Sequence, residues 1–296
     1  MKEDNVKKLN VKKIIALSLI AIIILPLLIT LISYFTGYEI YNNVYYYESD
    51  SNVMDIYIPK KAYKNKSNGC VLFIHGGSWT GGDKKEESLR CRLLASKGYI
   101  SATMNYTLHS EENKNEYTVF KVLDEIDLAI IKIKEVANSL GITVDKVATS
   151  GYSAGAHLSM LYAFSRGENT PMKVVFTSNM AGPADFSTDI WGEDITKIIV
   201  NRLTGKDVTT LDNNLVSLIS PTSYINENTP PSIIMQGEKD NVVPPKNAYS
   251  VIEKFEKYGV EHKFISLKNS DHSLIQNPFK HITYYNTLLD YCKKYF

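Results

Sequence analysis

Val147-Ala148-Thr149-Ser150-Gly151-Tyr152-Ser153-Ala154-Gly155-Ala156-His157-Leu158-Ser159-Met160-Leu161-Tyr162-Ala163-Phe164 is the stretch that decides the fold of this chain. Residues 147–150 read as a short buried strand and residues 154–164 as a helix. Between them, Gly151-Tyr152-Ser153-Ala154-Gly155 has the Gly-x-Ser-x-Gly spacing of a nucleophile elbow. A serine at the tip of a strained strand-to-helix turn presents its hydroxyl clear of the backbone. Glycines two positions to either side remove the side chains that would collide where strand and helix press together. The helix N-terminus then aims unpaired N–H groups and a positive dipole end at any oxyanion formed beside Ser153.

Working outward, strands and helices alternate on both sides of the elbow. Residues 53–58 alternate with period two and end at Pro59, the mark of a half-buried strand near a sheet edge. Residues 70–74, Cys-Val-Leu-Phe-Ile, form a continuous apolar run of the kind an inner strand needs when both faces are covered. That run empties into His75-Gly76-Gly77-Ser78-Trp79. Asp83 and Glu86 then form a capping box for a helix reaching about Lys97 and stopping at Gly98. A strand over residues 99–104 precedes a long amphipathic helix marked by Val119, Val122, Leu123, Ile126, Ile130, Ile133, Ala137 and Leu140. After the elbow come strands at residues 173–178, 232–236 and 262–267, with a helix over about 247–258 and a closing helix from His281. Residues 181–230 form a polar, partly helical excursion. This order predicts an α/β fold, a mostly parallel sheet with helices on both faces.

The N-terminus reads differently. Residues 14–35 are uncharged and almost wholly apolar, long enough to cross a bilayer. Lys2, Lys7, Lys8, Lys12 and Lys13 precede this segment, and the next basic residue is Lys60. That asymmetry predicts a cytoplasmic basic tail at residues 1–13, a transmembrane helix at 14–35 and everything beyond it outside the cytoplasm. Residues 36–51 read as a juxtamembrane linker that can run into a first strand, and 52–296 as the catalytic domain. Across all 296 residues the net charge is +1, which argues against nucleic acid as an obligatory partner. The three cysteines, Cys70, Cys91 and Cys292, lack metal-type spacing. Cys70 and Cys292 read as buried thiols, and a Cys70–Cys91 disulfide is open to an extracytoplasmic domain.

A serine nucleophile needs a base for its proton and an acid to hold that base in the right tautomer. Asp240 follows the strand at 232–236, and His272 follows the last strand. Both stand where strand C-termini would gather them beside Ser153. Glu238 is the alternative acid. Of the remaining histidines, His109 and His262 read as surface or strand residues, His157 lies on the helix behind Ser153, and His281 begins the last helix. The oxyanion donors are expected from Ala154 and from Gly76 and Gly77, with His75 shaping that loop.

Together these residues resemble the α/β-hydrolase superfamily, in its hormone-sensitive-lipase-like and bacterial feruloyl/acetyl-esterase-like branch. His75-Gly76-Gly77-Ser78-Trp79 and Gly151-Tyr152-Ser153-Ala154-Gly155 carry the two marking motifs. Asp55-Ile56-Tyr57-Ile58-Pro59, Asn105-Tyr106, the approach from Leu140-Gly141 to Asp145, and Pro230-Pro231 through Asp240 to Val243-Pro244 extend the likeness over residues 52–296. Three positions depart from the pattern. Ser78 stands where a third glycine is common, Tyr152 where aspartate is frequent, and Thr107 where arginine often follows the tyrosine.

The resemblance implies a serine carboxylic-ester hydrolase with Ser153, His272 and Asp240 as its triad and no metal or organic cofactor. The same motifs fit an arylformamidase-type amidase, and the fold also has catalytically silent binding members. The polar excursion, with Asp185, Asp189, Glu193, Asp194 and Lys197, points to short or aromatic acyl groups on water-soluble or carbohydrate alcohols rather than to lipid. Trp79 and Trp191 are the candidates for lining such a pocket.

Overall fold

The computed structural model describes residues 36–47, 51–64, 68–167 and 169–296. The basic tail and the apolar segment at 14–35 lie outside these residues. Among the described residues, no helix is long and apolar enough to cross a membrane.

Eight strands form one sheet: β1 (Tyr38–Tyr45), β2 (Val53–Pro59), β3 (Asn68–Ile74), β4 (Ile100–Met104), β5 (Val144–Tyr152), β6 (Lys173–Met180), β7 (Ser232–Gly237) and β8 (His262–Leu267). Their spatial order is β1-β2-β4-β3-β5-β6-β7-β8. β2 runs antiparallel to both of its neighbours, and the pairs from β4 to β8 are parallel. The C-terminal ends of six parallel strands therefore open on one edge of the sheet. The helices are α1 (Ser88–Ser96), α2 (Val119–Ser139), α3 (Ala154–Arg166), α4 (Thr188–Trp191), α5 (Glu193–Thr204), α6 (Asn213–Ile219), α7 (Lys246–Tyr258) and α8 (Pro278–Tyr295).

The pleat sorts the apolar runs into two layers. In β3, Cys70, Leu72 and Ile74 face the layer with α2, α3 and α7, whereas Val71 and Phe73 face the layer with α1 and α8. Cys70 and Cys91 thus belong to different layers. All three cysteines are free and buried, so the Cys70–Cys91 bridge does not form. Burial pushes each thiol above its ordinary range, since a buried thiolate would lose its hydration.

Two expectations are corrected at the sheet edge. Residues 36–51 are not simply a linker, because Tyr38–Tyr45 is the outermost strand, with Tyr38 opposite Pro59. In consequence β2 is buried along its whole length rather than half-buried. The polar residue in its alternation, Asp55, is buried because the Lys84 ammonium reaches it at 2.6 Å and the Asn43 amide donates to it at 2.8 Å. The helix expected after Asp83 is also split. Asp83 and Glu86 form the capping box, but on a short 3₁₀ turn, Lys84–Glu87, that hands over to α1.

The excursion packs on α2, α3 and α7. It comprises α4, α5, α6 and a 3₁₀ turn at Pro221–Tyr224. Phe186, Val200, Leu203 and Ile219 are buried beneath it, while Ile195 and Ile198 stand exposed on its outer face.

Candidate active site

Backbone strain at one residue sets this site. Ser153 sits at φ 53° and ψ −121°, in the region that favours glycine, between the end of β5 and the first turn of α3. Such a conformation costs on the order of 1–3 kcal/mol and persists only where the surroundings hold it. The Ser153 amide donates to Met180 O at 2.9 Å, and the His157 amide donates to Ser153 O at 3.1 Å. The flanking glycines allow the close crossing. A Cβ on Gly155 would lie 2.0 Å from Ile74 O, and one on Gly151 would lie 2.3 Å from the Gly155 carbonyl carbon. Ala154 opens α3, so its N–H belongs to the leading turn that has no partner within the helix.

Asp240 and His272 are carried to Ser153 by the turns after β7 and β8. The Lys239 amide donates to Ser270 O at 3.0 Å and locks the two turns together. His272 Nε2 lies 3.0 Å from Ser153 Oγ, and His272 Nδ1 lies 2.8 Å from Asp240 Oδ2. The carboxylate accepts from Nδ1–H, which leaves Nε2 as the acceptor for the serine hydroxyl. Asp240 also accepts from the Val242 and Val243 amides at 2.9 and 2.8 Å and from Gln236 Nε2 at 2.9 Å. Its side chain is fully buried, while the His272 side chain is 16% exposed, so the carboxylate is shielded and the imidazole edge faces the opening. Glu238 is exposed and pairs with Ser266 Oγ, away from His272.

The turn after β3 packs directly on the elbow. A Cβ on Gly76 would stand 3.0 Å from Tyr152 O and 3.4 Å from Ser153 Cβ. Gly77 has φ +109°, and Ser78 and Trp79 follow at 53° and 62°, a run of three positive angles that turns the chain over Ser153. His75 anchors this turn from below. Its Nδ1–H donates to Gly76 O at 2.7 Å, its ring stacks on Tyr106 at 4.4 Å, and Tyr106 OH donates to His75 O at 3.2 Å. Burial lowers the His75 pKa and favours the neutral ring.

Trp79 is not a pocket residue. It is 5% exposed, and its indole N–H donates to His157 Nδ1 at 3.2 Å while Phe186 packs beside it. Packing also governs Trp191, which is half-buried with its indole N–H on Asp185 O at 2.7 Å and its ring against Phe186. Cavities of about 350 and 410 Å³ border Glu125 with Tyr117 and His75 with Tyr106 respectively, and neither reaches Ser153. No cluster of three or more His, Cys, Asp or Glu side chains with metal-binding geometry occurs among the described residues.

Three residues that the motifs do not mark as functional complete the site. Tyr152 OH donates to His272 O at 2.7 Å. His157, accepting from Trp79 at Nδ1, donates from Nε2 to Ile219 O at 2.8 Å and so ties the glycine turn, α3 and the excursion together. Gln236 braces Asp240. Only Gln236 had a legible signal, as an amide closing an otherwise apolar strand.

An eight-stranded, mostly parallel sheet with serine, aspartate and histidine meeting at its strand C-termini defines an α/β-hydrolase-like protein. Within that class, residues 54–255 match the BD-FAE family model, and the chain belongs to this family. Among curated proteins it is similar to a probable carboxylic ester hydrolase, LipM, of Mycobacterium tuberculosis (28% identity, covering 62% of this chain and 44% of that protein). It is also similar to a probable isoprenylcysteine alpha-carbonyl methylesterase of Oryza sativa subsp. japonica (29% identity, covering 43% and 29%). The chain therefore spans less than half the length of these two relatives. Among solved structures, a truncated carbohydrate esterase from gut microbiota superposes with a TM-score of 0.73 at 20% identity, covering 87% of this chain and 96% of that one. Esterase B from Lactobacillus rhamnosis superposes with a TM-score of 0.69 at 18% identity, covering 99% and 98%. At these identities the likeness shows the fold.

Proposed function

We propose that this protein is a membrane-anchored serine hydrolase that cleaves carboxylic esters outside the cytoplasm. The observation that carries the reading is the unbroken relay from Ser153 Oγ through His272 to Asp240, at 3.0 and 2.8 Å, on a serine held at positive φ. Ser153 Oγ attacks the ester carbonyl as His272 Nε2 takes its proton, and Asp240 holds the imidazolium that results. The N–H groups of Gly76, Gly77 and Ala154 receive the charge that develops on the carbonyl oxygen. The protonated His272 then gives its proton to the departing alkoxide, leaving an acyl-Ser153. Water, deprotonated by the same nitrogen, attacks that acyl group and frees the acid and the serine.

Short acyl or aromatic acyl groups on soluble or carbohydrate alcohols are the preferred substrates in this reading. The polar excursion, whose Phe186, Leu203, Leu215 and Ile219 are buried, supports it. The exposed Ile195, Ile198 and Leu218 make a small apolar surface beside what a lid opening onto lipid would need. Initial rates on nitrophenyl esters of graded chain length, beside acetylated and feruloylated sugars and formyl-anilides, test the assignment. Rates are expected to peak at acetyl to butyryl or at aromatic acyl groups. Rates that climb past about eight carbons or jump at the micelle threshold would point to a lipase instead, because added binding energy would then come from chain length.

A further inference from the structure

The strand that joins the apolar N-terminal segment to the sheet also sets the direction in which the site faces. β1 begins at Tyr38, three residues after the apolar stretch ends at Phe35. Tyr38 pairs with Pro59, the last residue of β2, and β2 runs antiparallel to β4. The chain therefore enters at the edge of the sheet where the parallel strands start, beside Asn68, Ile100 and Val144. Ser153, Asp240 and His272 all follow strand C-termini at the opposite edge. The entry is pinned, because the Lys60 amide donates to Gly37 O at 3.0 Å and Arg92 donates to Tyr38 OH at 3.3 Å. Lys60 and Lys61 stand exposed at this entry, with Glu39 as the neighbouring acid.

We propose that the base of the sheet, where Gly37 and Tyr38 enter, is the membrane-facing surface of this protein, so that the Ser153 opening is turned away from the bilayer and receives esters from the aqueous side rather than lipids of the anchoring membrane. The proposal rests on the reading of residues 14–35 as an anchor and of Ser153 as the nucleophile. Distance supports it. Through the strand register Tyr38 stands level with Lys146, and the seven residues from there lift Ser153 roughly 23 Å above the entry at a rise of about 3.3 Å each. The three peptide steps from Phe35 to Tyr38 reach at most about 10 Å, and the hydrogen bond at Gly37 removes part of that slack. Tilting the domain onto its β1 edge does not close the gap. Four strand spacings of about 4.8 Å still separate β1 from β5, roughly 19 Å. A lipid ester at the bilayer surface stays out of reach in either pose, whereas a soluble ester or a long acylated polymer does not. The lysines at the entry favour an anionic surface.

The full-length chain reconstituted in phosphatidylcholine–phosphatidylglycerol vesicles that carry a rhodamine-labelled lipid tests this. Lys61→Cys and Lys239→Cys place a donor dye at the base and beside the site, and the native cysteines, with no exposed surface, do not compete for label. Energy transfer to the bilayer is expected to be several-fold higher from position 61 than from position 239. Equal or reversed transfer, or a chain that fails to float with the vesicles, overturns the proposal. In a second arm, the wild-type chain is expected to hydrolyse a soluble butyrate ester many-fold faster than a butyrate diglyceride placed in its own vesicles. A Gly-Ser linker of about thirty residues inserted after Thr36, spanning roughly 30 Å, should raise the rate on the diglyceride alone. Equal wild-type rates on both esters overturn the orientation. A chain inert toward every ester counts against the hydrolase reading, while the energy transfer still decides the orientation.

Discussion

Tyr152 OH donates a 2.7 Å hydrogen bond to the backbone carbonyl of His272, so the residue that precedes Ser153 in the chain holds the loop whose imidazole reaches Ser153. The two rings also pack at 5.2 Å, and Tyr152 touches the Gly76 turn. Burial, helped by the nearby Asp240 carboxylate, pushes the phenol up to about 12, so it remains a donor throughout the working range. Tyr152→Phe removes that bond and little else. A net hydrogen bond is worth about 1 kcal/mol, which corresponds to a loss in kcat of roughly five-fold with KM nearly unchanged. Steady-state kinetics on a short ester check this. A loss confined to KM would place Tyr152 in substrate binding rather than in positioning His272.

Asp240 and Glu238 stand two residues apart and were both open to the same role until their surroundings were known. Asp240 has four donors, including His272 Nδ1, whereas Glu238 faces solvent beside Ser266. His272→Ala should lower kcat on the order of 10⁴-fold. Asp240→Asn should lower it substantially but by less, because a base remains in place with its tautomer no longer enforced. Glu238→Gln should match wild type. A fully active Asp240→Asn enzyme with an impaired Glu238→Gln enzyme would reverse the assignment.

His157 links stability to pH. Enclosed on all sides, its pKa is pushed down from 6.5 to about 4, because the charged ring would lose its hydration, although the Ile219 carbonyl partly favours it. The unfolded chain takes up this proton near pH 6.5 and the folded chain only near pH 4. The resulting stabilisation is complete above about 6.5 and is lost as pH falls through that window, on the order of 3 kcal/mol across it. Denaturant titrations at pH 7 and pH 4.5 should show wild type losing stability on acidification. His157→Gln, less stable at pH 7 because Trp79 and Ile219 lose matched partners, should lose less over the same interval. Parallel losses for the two proteins would contradict the linkage.

Local chemistry made much of this architecture legible. The elbow, the capping box at Asp83, the apolar run of β3 and the positions of Asp240 and His272 each depend on nearest neighbours in the chain, and each lies where its pattern pointed. What escaped depended on contacts across the fold. Residues 36–51 hold no strong strand pattern, because β1 is an edge strand whose outward side chains have no need to be apolar. β2 looked half-buried because the ion pair that neutralises Asp55 comes from Lys84, 29 residues away. Trp79 suggested a pocket wall by its type, yet its indole N–H is drawn inward by His157, a partner 78 residues distant. Tyr152 appeared only as a departure from a motif, and its partner lies 120 residues on.

The central claim is that Ser153 is the nucleophile of an acyl-transfer site, and one labelling experiment addresses it most directly. A fluorophosphonate probe is presented to wild type and to Ser153→Ala, with the modified peptide located by mass spectrometry and burst hydrolysis of a nitrophenyl ester followed alongside. The account predicts stoichiometric modification of Ser153 in wild type, none in the variant, and loss of turnover on the order of 10⁴-fold with the fold intact. Modification at another residue, or turnover that survives the substitution, would contradict it.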